Sequence, residues 1–377
     1  MAFTIGVPAE TATDERRVAL VPEVVGRLVK KGMEIIVEAG AGAGSYHGDA
    51  AFTAAGARIG TRVDAFGADL VLKVAPPSDA EVGMLREGAI YIGFLSPLDA
   101  PQVTRSLAAQ KVTAFSTELV PRISRAQKMD ALSAMSSIAG YKAVLKAAEA
   151  LPKFFPLLTT AAGTVKPANV LVLGAGVAGL QAIATARRLG AKVWGYDVRD
   201  AVREEIESLG ATFVQLELET AGSQDAGGYA KALAEEKAHR QTELLVPHIG
   251  SSDVVVSTAL IPGRRAPLLI TEEAVKAMSP GSIVVDLAAA NGGNCAFTEP
   301  GQTIVKHGVT IMGPTNLPAE MPVHASQMYA RVLMAMILDF YKDGAFQLDF
   351  GDDIIKGACV TYAGEVVNER VKSLLAA

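Results

Sequence analysis

The sequence is poor in cysteine, in runs of one charge and in long apolar segments, and each shortage excludes a class of protein. Cys295 and Cys359 are the only cysteines, which is too few for a disulfide framework, and their separation matches no metal-binding motif. The formal net charge is −5 and basic residues alternate with acidic ones, so the charge pattern argues against a nucleic-acid partner. A reducing cytoplasm is the expected compartment.

The N-terminus and the apolar segments argue against export and membrane insertion. The opening sequence MAFTIGVPAETATDERR lacks the charged segment followed by an apolar core that a signal peptide requires. The best candidate for a membrane span, residues 326–341, contains Arg331 and Asp339, with only seven apolar residues between them. A bilayer requires about 20 apolar residues, so we expect no direct membrane insertion.

Short β-branched runs alternate with helical patterns and form two series. The first series is at residues 3–7, 34–40, 70–74, 89–95 and 112–116, and the second at residues 170–174, 193–197, 212–216, 253–259, 282–288 and 309–314. This alternation predicts βαβ units and mainly parallel sheets. The six strands of the second series fit a complete dinucleotide-binding fold.

A glycine motif follows the first strand of the second series and precedes a helix. Gly174, Gly176 and Gly179 form G-x-G-x-x-G within VLVLGAGVAGL. The first glycine permits a tight turn, the second lets a pyrophosphate approach the backbone, and the third lets helix and strand pack closely. A turn in an α/β domain that binds nothing is the alternative, but the strand–turn–helix context favours a dinucleotide site.

The length of 377 residues predicts two domains. Long helical patterns at residues 124–150 and 322–341 flank the second series of strands. We therefore predict an α/β protein with two Rossmann-like parallel-sheet domains joined by long helices, the NAD-binding domain being inserted into the first. Residues 1–125 plus 318–377 would form the N-terminal domain, and residues 126–317 the NAD-binding domain with its linking helix.

Asp197 ends the strand after the glycine motif, where a carboxylate accepts hydrogen bonds from both hydroxyls of the adenosine ribose. It would repel a 2′-phosphate by roughly 4 kcal/mol for charges about 4 Å apart at an effective dielectric constant of 20. A preference for NAD(H) over NADP(H) is therefore expected. Arg199 either softens this preference or is a solvated residue at the start of a helix.

Polar residues at intervals of three follow Arg122 in PRISRAQKMDALSAMSS. Gln127, Asp130 and Ser133 would share one face of a helix. Ser124 and Gln127 also form S-x-x-Q, so the alternative is a capping box in which Gln127 only satisfies a backbone amide. Because the polar stripe continues beyond the cap, we favour a role in a cofactor cleft.

Three more segments lie where such folds bind ligands. Residues 219–230 are glycine-rich and acidic and contain Tyr229, and they form either a lid over a ligand or an ordinary surface loop. TALIPG and DLAAANGGN follow the fourth and fifth strands of the second series, at the carboxyl edge of the sheet. The five histidines are scattered, so no metal site is predicted.

A dehydrogenase that reduces a carbonyl or an imine needs a positioned acid or base, and the sequence offers few candidates. Lys73, which ends the strand LVLKV, is the best of them. Arg17 could hold a substrate carboxylate.

The motifs GVPAETATDERRVALVPEVV, PRISRAQKMDALS, TTAAGTVKPANVLVLGAGVAGLQ and TALIPGRRAPLLIT resemble the NAD(H)-binding component, domain I, of proton-translocating NAD(P) transhydrogenase. The similarity extends over essentially the whole chain, and RISRAQ with TALIPG is specific to that family. Alanine dehydrogenases are a related family with the same two-domain plan, and Arg17 and Lys73 match positions that they use for substrate. Where those enzymes have a catalytic histidine, this sequence has Ser96 in GFLSPL.

This resemblance implies direct hydride transfer from NADH on this chain to NADP⁺ on a partner domain, without an acid or base. Gln127 is implied to reach the nicotinamide ribose, and Arg122, Asp130 and Ser133 to orient the nicotinamide and its carboxamide. Tyr229 would belong to a mobile loop. The implied protein is an alpha-1 type subunit, a homodimer, bound peripherally to the cytoplasmic membrane through NADP-binding and membrane-spanning subunits. The candidate cofactor-binding residues are Gly174, Gly176, Val177, Ala178, Gly179, Asp197, Val198, Arg199, Tyr229, Thr258, Ala259 and Leu260.

The leading prediction is therefore a transhydrogenase subunit that binds NAD(H), with NADP(H) held by the partner, and that is catalytic only together with the partner. Two alternatives remain open from the sequence. One is an alanine dehydrogenase-like oxidoreductase that acts alone, and the other is an NADH-sensing module without catalytic activity.

Overall fold

The computed structural model describes residues 3–217, 235–261, 263–342 and 344–376. The strands are β1 Thr4–Val7, β2 Glu34–Glu38, β3 Arg58–Gly60, β4 Leu70–Leu72, β5 Ile90–Gly93, β6 Thr113–Ser116, β7 Leu158–Thr160, β8 Gly163–Val165, β9 Asn169–Leu173, β10 Lys192–Tyr196, β11 Thr212–Phe213, β12 Val254–Ser257, β13 Ile283–Asp286, β14 Thr303–Lys306, β15 Val309–Met312, β16 Tyr341–Lys342, β17 Ala345–Phe346, β18 Cys359–Tyr362 and β19 Glu365–Val366.

The α-helices are α1 Pro22–Val29, α2 Asp49–Ala54, α3 Arg62–Phe66, α4 Asp79–Val82, α5 Gln102–Ala109, α6 Ala131–Ala150, α7 Val177–Arg188, α8 Arg203–Ser208, α9 Glu235–Gly250, α10 Glu272–Ala277, α11 Pro322–Phe340, α12 Asp353–Ala358 and α13 Glu369–Ala376. Short 3₁₀ helices lie at Ala43–Ser45, Thr117–Leu119, Ser124–Met129, Asp200–Val202, Ala289–Asn291 and Leu317–Glu320.

The chain divides into two compact units, residues 1–135 with 318–377 and residues 136–317. The second unit is thus an insertion in the sequence of the first. Residues 126–135 belong to the first unit, although we expected them with the second. The reason is local, because the 3₁₀ helix Ser124–Met129 packs on α11, which is part of the first unit.

The first unit contains an eight-stranded sheet with the order β19-β18-β6-β5-β4-β1-β2-β3. Strands β1 to β6 are parallel and follow the doubly wound order 3-2-1-4-5-6, whereas β18 and β19 are antiparallel. All three residues of β4 are buried, as expected for a parallel strand that is covered on both faces. The C-terminal segment therefore completes the sheet that the N-terminal residues begin.

The second unit contains a seven-stranded sheet with the order β11-β10-β9-β12-β13-β15-β14. It repeats the same doubly wound order, with β14 as an antiparallel edge strand. Val170 and Val172 of β9 belong to one apolar cluster, and Leu171 and Leu173 belong to another. Because alternate residues face opposite sides of a strand, this sheet has an apolar core on each face. The predicted α/β class is confirmed.

Of the two long helices predicted, α11 is present as expected, whereas the helix predicted for residues 124–150 is interrupted. It starts as the 3₁₀ helix, Asp130 has non-helical backbone angles, and α6 begins at Ala131. Within the described ranges, no helix combines the length and the apolar character that a membrane-spanning segment needs.

Candidate functional site

The glycine motif forms the turn between β9 and α7. Gly174 has a φ of +93°, in the left-handed region where side chains are strained. A Cβ on Gly179 would lie 1.8 Å from the carbonyl oxygen of Gly174, so only glycine allows this close packing of helix on strand. At Gly176, by contrast, no described atom lies within 4 Å of a Cβ position. The turn thus leaves open space at the N-terminus of α7, which fits an anion such as a pyrophosphate.

Asp197 follows β10 and contacts the glycine turn directly. One of its carboxylate oxygens accepts a hydrogen bond from the backbone N–H of Ala175 at 2.7 Å. The Arg199 guanidinium binds both oxygens, with two distances of 2.8 Å. The two side chains are only 5% and 14% exposed, so Arg199 is not a solvated residue at the start of a helix. These hydrogen bonds to Asp197 raise the pKa of Arg199.

The segment after β12 lies against the same turn, since β12 is the neighbour of β9 in the sheet. The Thr258 hydroxyl donates to the carbonyl oxygen of Gly174 at 3.0 Å. Ala259 follows it, and the side chain of Leu260 is 42% exposed. In the first turn of α7, Val177 is 37% exposed. The second unit therefore brings the glycine turn, Asp197 and this segment to the carboxyl edge of one sheet, where doubly wound folds bind ligands.

The polar residues near the start of α6 are arranged differently from the prediction. Gln127 lies exposed in the 3₁₀ helix and Ser133 lies in α6, so they do not share one helix. The capping box at Ser124 is also wrong, because Ile123 occupies the N-cap position. Asp130 acts as the cap instead, since it accepts hydrogen bonds from the Ser133 backbone N–H at 2.8 Å and hydroxyl at 2.6 Å.

In the first unit, Arg17 is paired with a carboxylate of its own chain. The Arg17 side chain binds both oxygens of Glu15, at 2.7 Å and 2.5 Å. The two side chains are 8% and 2% exposed. The pair is therefore buried, and Glu15 occupies the Nε/Nη2 edge of the guanidinium with the bidentate geometry typical of an arginine–carboxylate pair.

Lys73 is also paired with carboxylates of its own chain, and it is 1% exposed. Its ammonium group lies 2.8 Å from Glu81 and 3.4 Å from Glu10. Burial raises the pKa of Glu10 although Lys73 opposes the shift. Burial also opposes ionisation of Glu81, but the hydrogen bonds from Lys73 and the Ser78 backbone hold the pKa of Glu81 below its ordinary value.

Two buried residues of the second unit were not predicted as functional. Asp286 ends β13 and Asn294 lies in the segment after it, and both are fully buried and hydrogen-bonded. The motif DLAAANGGN marked this segment, but a sequence pattern does not reveal which of its polar residues turns inward.

Tyr229 and the whole glycine-rich segment 219–230 lie outside the described residues. Within the described part of the chain, no group of three or more His, Cys, Asp or Glu side chains is arranged to hold a metal ion.

Two family models match the chain. The alanine dehydrogenase/PNT N-terminal domain matches residues 6–139, and the alanine dehydrogenase/PNT C-terminal domain matches residues 143–369. The chain belongs to the alanine dehydrogenase/PNT family. The N-terminal match contains Arg17 and Lys73, and the C-terminal match contains the glycine turn.

Members of both branches of this family resemble the chain. An NAD(P) transhydrogenase alpha subunit of Rhodospirillum rubrum is 46% identical over 97% of each chain. The crystal structure of transhydrogenase from Sinorhizobium meliloti has a TM-score of 0.85 and 40% identity, covering 97% of this chain and 99% of the other. Alanine dehydrogenase of Mycobacterium tuberculosis is more distant, at 31% identity over 97% of this chain and 95% of its own. The resemblance to the transhydrogenase subunit that the motifs indicated is confirmed.

Proposed function

We propose that this chain is the NAD(H)-binding subunit of a proton-translocating NAD(P) transhydrogenase. It binds NADH and exchanges a hydride directly with NADP⁺ on a partner domain, and a separate membrane domain couples this exchange to proton translocation. Similarity to the Rhodospirillum rubrum subunit over almost the full length of both chains supports the proposal. Catalysis requires the partner, because this chain provides only one of the two nicotinamide sites.

One observation favours this function over amino-acid oxidoreduction: the cations suited to a keto-acid carboxylate are already paired. Arg17 is bound by Glu15, and Lys73 lies between Glu81 and Glu10. Separating a buried ion pair typically costs about 3–5 kcal/mol, so a substrate carboxylate would have to replace a partner that is already in place.

The proposal also fits the lack of an acid or base at the position where alanine dehydrogenases have histidine. Ser96 occupies it with a φ of +46°, and its backbone N–H donates to Glu118 at 2.8 Å. A serine hydroxyl is a poor proton donor at neutral pH, whereas amino-acid formation needs a proton at the reacting centre. Transfer between two nicotinamides needs none, and orientation alone can contribute about 7–11 kcal/mol.

We assign NAD(H) to the second unit, where bound NADH supplies the hydride. The open space at Gly176 and the N-terminus of α7 receive the pyrophosphate, and Asp197 receives the adenosine ribose. Thr258, Ala259 and Leu260 contact the nicotinamide half. The proposed set also includes Gly174, Val177, Ala178, Gly179, Val198, Arg199 and Tyr229.

We assign the orientation of the nicotinamide to the residues before and within the first turn of α6. Gln127 and Arg122, which is five residues earlier in the sequence, are both exposed. Following the family resemblance, we assign Gln127 to the nicotinamide ribose. Asp130 and Ser133 hold the carboxamide, and their mutual hydrogen bonds fix both side chains before the cofactor arrives. These residues bind and orient the cofactor, and none of them moves a proton.

The assembly we propose is a homodimer that is held at the cytoplasmic membrane by NADP-binding and membrane-spanning subunits. The hairpin β7–β8 and the segment before it support a dimer, because they expose large apolar side chains. Phe154 is 54% exposed, Leu157 59% and Val165 44%. Contiguous exposed apolar residues are typical of protein interfaces.

The test is to mix the purified chain with a purified NADP-binding transhydrogenase subunit and to follow hydride transfer from NADH to an NADP⁺ analogue with a distinct absorbance. Transfer that needs both proteins supports the proposal. Binding of NADH without any transfer supports the sensing module instead.

An alanine dehydrogenase-like activity is the second candidate, because that branch of the family is 31% identical to this chain. It predicts rapid NADH oxidation by the chain alone with pyruvate and ammonium. Turnover at enzymatic speed in that assay would overturn the transhydrogenase proposal.

A further inference from the structure

Asp286 and Asn294 connect the carboxyl ends of neighbouring strands inside the second unit. Asp286 is fully buried at the end of β13. Its Oδ2 accepts hydrogen bonds from the backbone N–H groups of Asn294 at 2.6 Å and Cys295 at 3.0 Å, and from the Thr298 hydroxyl at 2.6 Å. A buried carboxylate with three donors on one oxygen holds the segment that contains Asn294 in a single position.

Asn294 in turn binds the segment that follows β12. It is fully buried, and its Oδ1 accepts from the Ser257 hydroxyl at 2.6 Å and from the Ala259 backbone N–H at 3.1 Å. Its Nδ2 donates to the carbonyl oxygens of Ala259 at 2.9 Å and Pro267 at 2.8 Å. The side-chain amide therefore binds both backbone polar groups of Ala259.

The hydrogen bonds continue from this segment to the glycine turn, because Thr258 donates to the carbonyl oxygen of Gly174. Strands β9, β12 and β13 are adjacent in that order. Thr258 and Ala259 are thus fixed between the turn on one side and Asn294 on the other, and Leu260 follows directly after them.

We propose that Asn294, held in place by Asp286, is a positioning residue that sets the backbone of Thr258–Leu260 for the nicotinamide half of the cofactor. The inference deepens the proposed function and rests on it. In the doubly wound order, the two halves of a dinucleotide lie on opposite sides of the first strand, which here is β9. Asp197 follows β10 on the adenosine side, so the segment after β12 lies on the nicotinamide side.

Only an amide satisfies this site. One oxygen must accept from an N–H and a hydroxyl while one nitrogen donates to two carbonyl oxygens. An aspartate at position 294 keeps the shape but directs a carboxylate oxygen at the carbonyls of Ala259 and Pro267, and an alanine leaves all four partners unsatisfied. Asn294→Asp therefore tests the donor function without a large change in volume.

The experiment measures the affinity of Asn294→Ala and Asn294→Asp for NADH and, separately, for 5′-AMP, which carries only the adenosine half. Ser257→Ala removes a single hydrogen bond to Asn294 and is the milder variant if the others fail to fold. Val254→Ala is the matched control, because Val254 is fully buried at the opposite end of β12 and its truncation lowers stability without touching the segment.

We expect the Kd for NADH to rise about 10- to 100-fold in the Asn294 variants, and less in Ser257→Ala, because the buried partners of Asn294 are left unsatisfied and release the segment that contacts the cofactor. The Kd for 5′-AMP should stay within about twofold, and Val254→Ala should bind both ligands normally despite a lower Tm. Equal losses for NADH and 5′-AMP, or no loss in any folded variant, would overturn the positioning role. A wild-type chain that binds no NADH would instead refute the proposed function itself.

Discussion

Replacing Arg199 by alanine tests whether the proposed adenosine ribose site at Asp197 distinguishes NADH from NADPH by charge. In the structure, Asp197 does not stand alone, since the Arg199 guanidinium binds both of its carboxylate oxygens at 2.8 Å. Considered by itself, Asp197 would reject a 2′-phosphate strongly. The paired arginine changes that expectation, because it places a positive charge beside the same phosphate.

The expected loss of NADPH affinity follows from the charges that surround the 2′-phosphate. A carboxylate about 4 Å from a phosphate repels it by roughly 4 kcal/mol at an effective dielectric constant of 20, and a guanidinium at a similar distance attracts it by a similar amount. The two effects nearly cancel in the wild type. Without Arg199 the repulsion is uncompensated, and after screening by solvent and salt about 1–3 kcal/mol should remain. The Kd for NADPH should therefore rise roughly 5- to 150-fold relative to that for NADH.

The assay is a titration of each nucleotide followed by the fluorescence of Trp194, the single tryptophan, which lies in β10 close to Asp197 in the sequence. Arg203→Ala is the control, because Arg203 is 39% exposed, lies beside Asp200 and packs over Phe213. A ratio of the two Kd values that stays within twofold of the wild type in Arg199→Ala would refute the electrostatic reasoning.

Three further predictions concern single side chains. Gly176→Ala should leave the Tm unchanged but weaken NADH binding, because the added methyl group enters the open space proposed for the pyrophosphate. Gly179→Ala should prevent stable folding, because its Cβ would lie 1.8 Å from a carbonyl oxygen. Thermal unfolding and NADH titration distinguish the two variants. Gln127→Asn should slow hydride transfer in the mixed assay while the Kd for NADH stays nearly constant, and a collapse of binding with normal transfer per bound cofactor would contradict its role. Glu81, whose pKa lies below the ordinary value of 4.5, stabilises the fold above that pH and loses this contribution as the pH falls. The Tm difference between wild type and Glu81→Gln should therefore be largest near pH 7 and shrink below pH 4.5, and a difference independent of pH would contradict this assignment.

The fold could be predicted because apolar strands and glycine turns are local signals. Residues 170–174 are apolar throughout, and the glycine spacing after them requires the turn that the structure contains. Strands β3, β14, β18 and β19 were missed. Three of them, β3, β14 and β19, are edge strands that are short or largely exposed, whereas β18 lies next to the edge and is mostly buried. A short strand at the edge of a sheet has a weak periodic pattern, and its pairing is decided by tertiary contacts.

The site could be predicted only partially, because pairing between side chains is not visible in a linear pattern. The sequence singled out Arg17, Lys73 and Asp197 as charged residues of interest, and the structure shows that each is buried in an ion pair. It did not show that Glu81 pairs with Lys73 or that Arg199 pairs with Asp197. The interruption at Asp130 was missed for a similar reason, since spacing by three is compatible with a continuous helix and also with a cap between two helices.

The pairing of buried cations with carboxylates of the same chain bears on the reaction that this protein can catalyse. An enzyme that makes an amino acid must hold a substrate carboxylate and deliver a proton, so it needs an accessible cation and a titratable donor. Here the buried cations of the first unit are bound by the chain's own carboxylates. In the proposed function, Ser96 stands in place of the proton donor that such an enzyme would need. Hydride exchange between two nicotinamides requires neither feature, but it does require that one ring be held in a fixed orientation. We therefore expect substitutions to impair hydride transfer most at residues that fix the backbone around the cofactor, such as Asn294. No comparable set of residues that transfer protons is required.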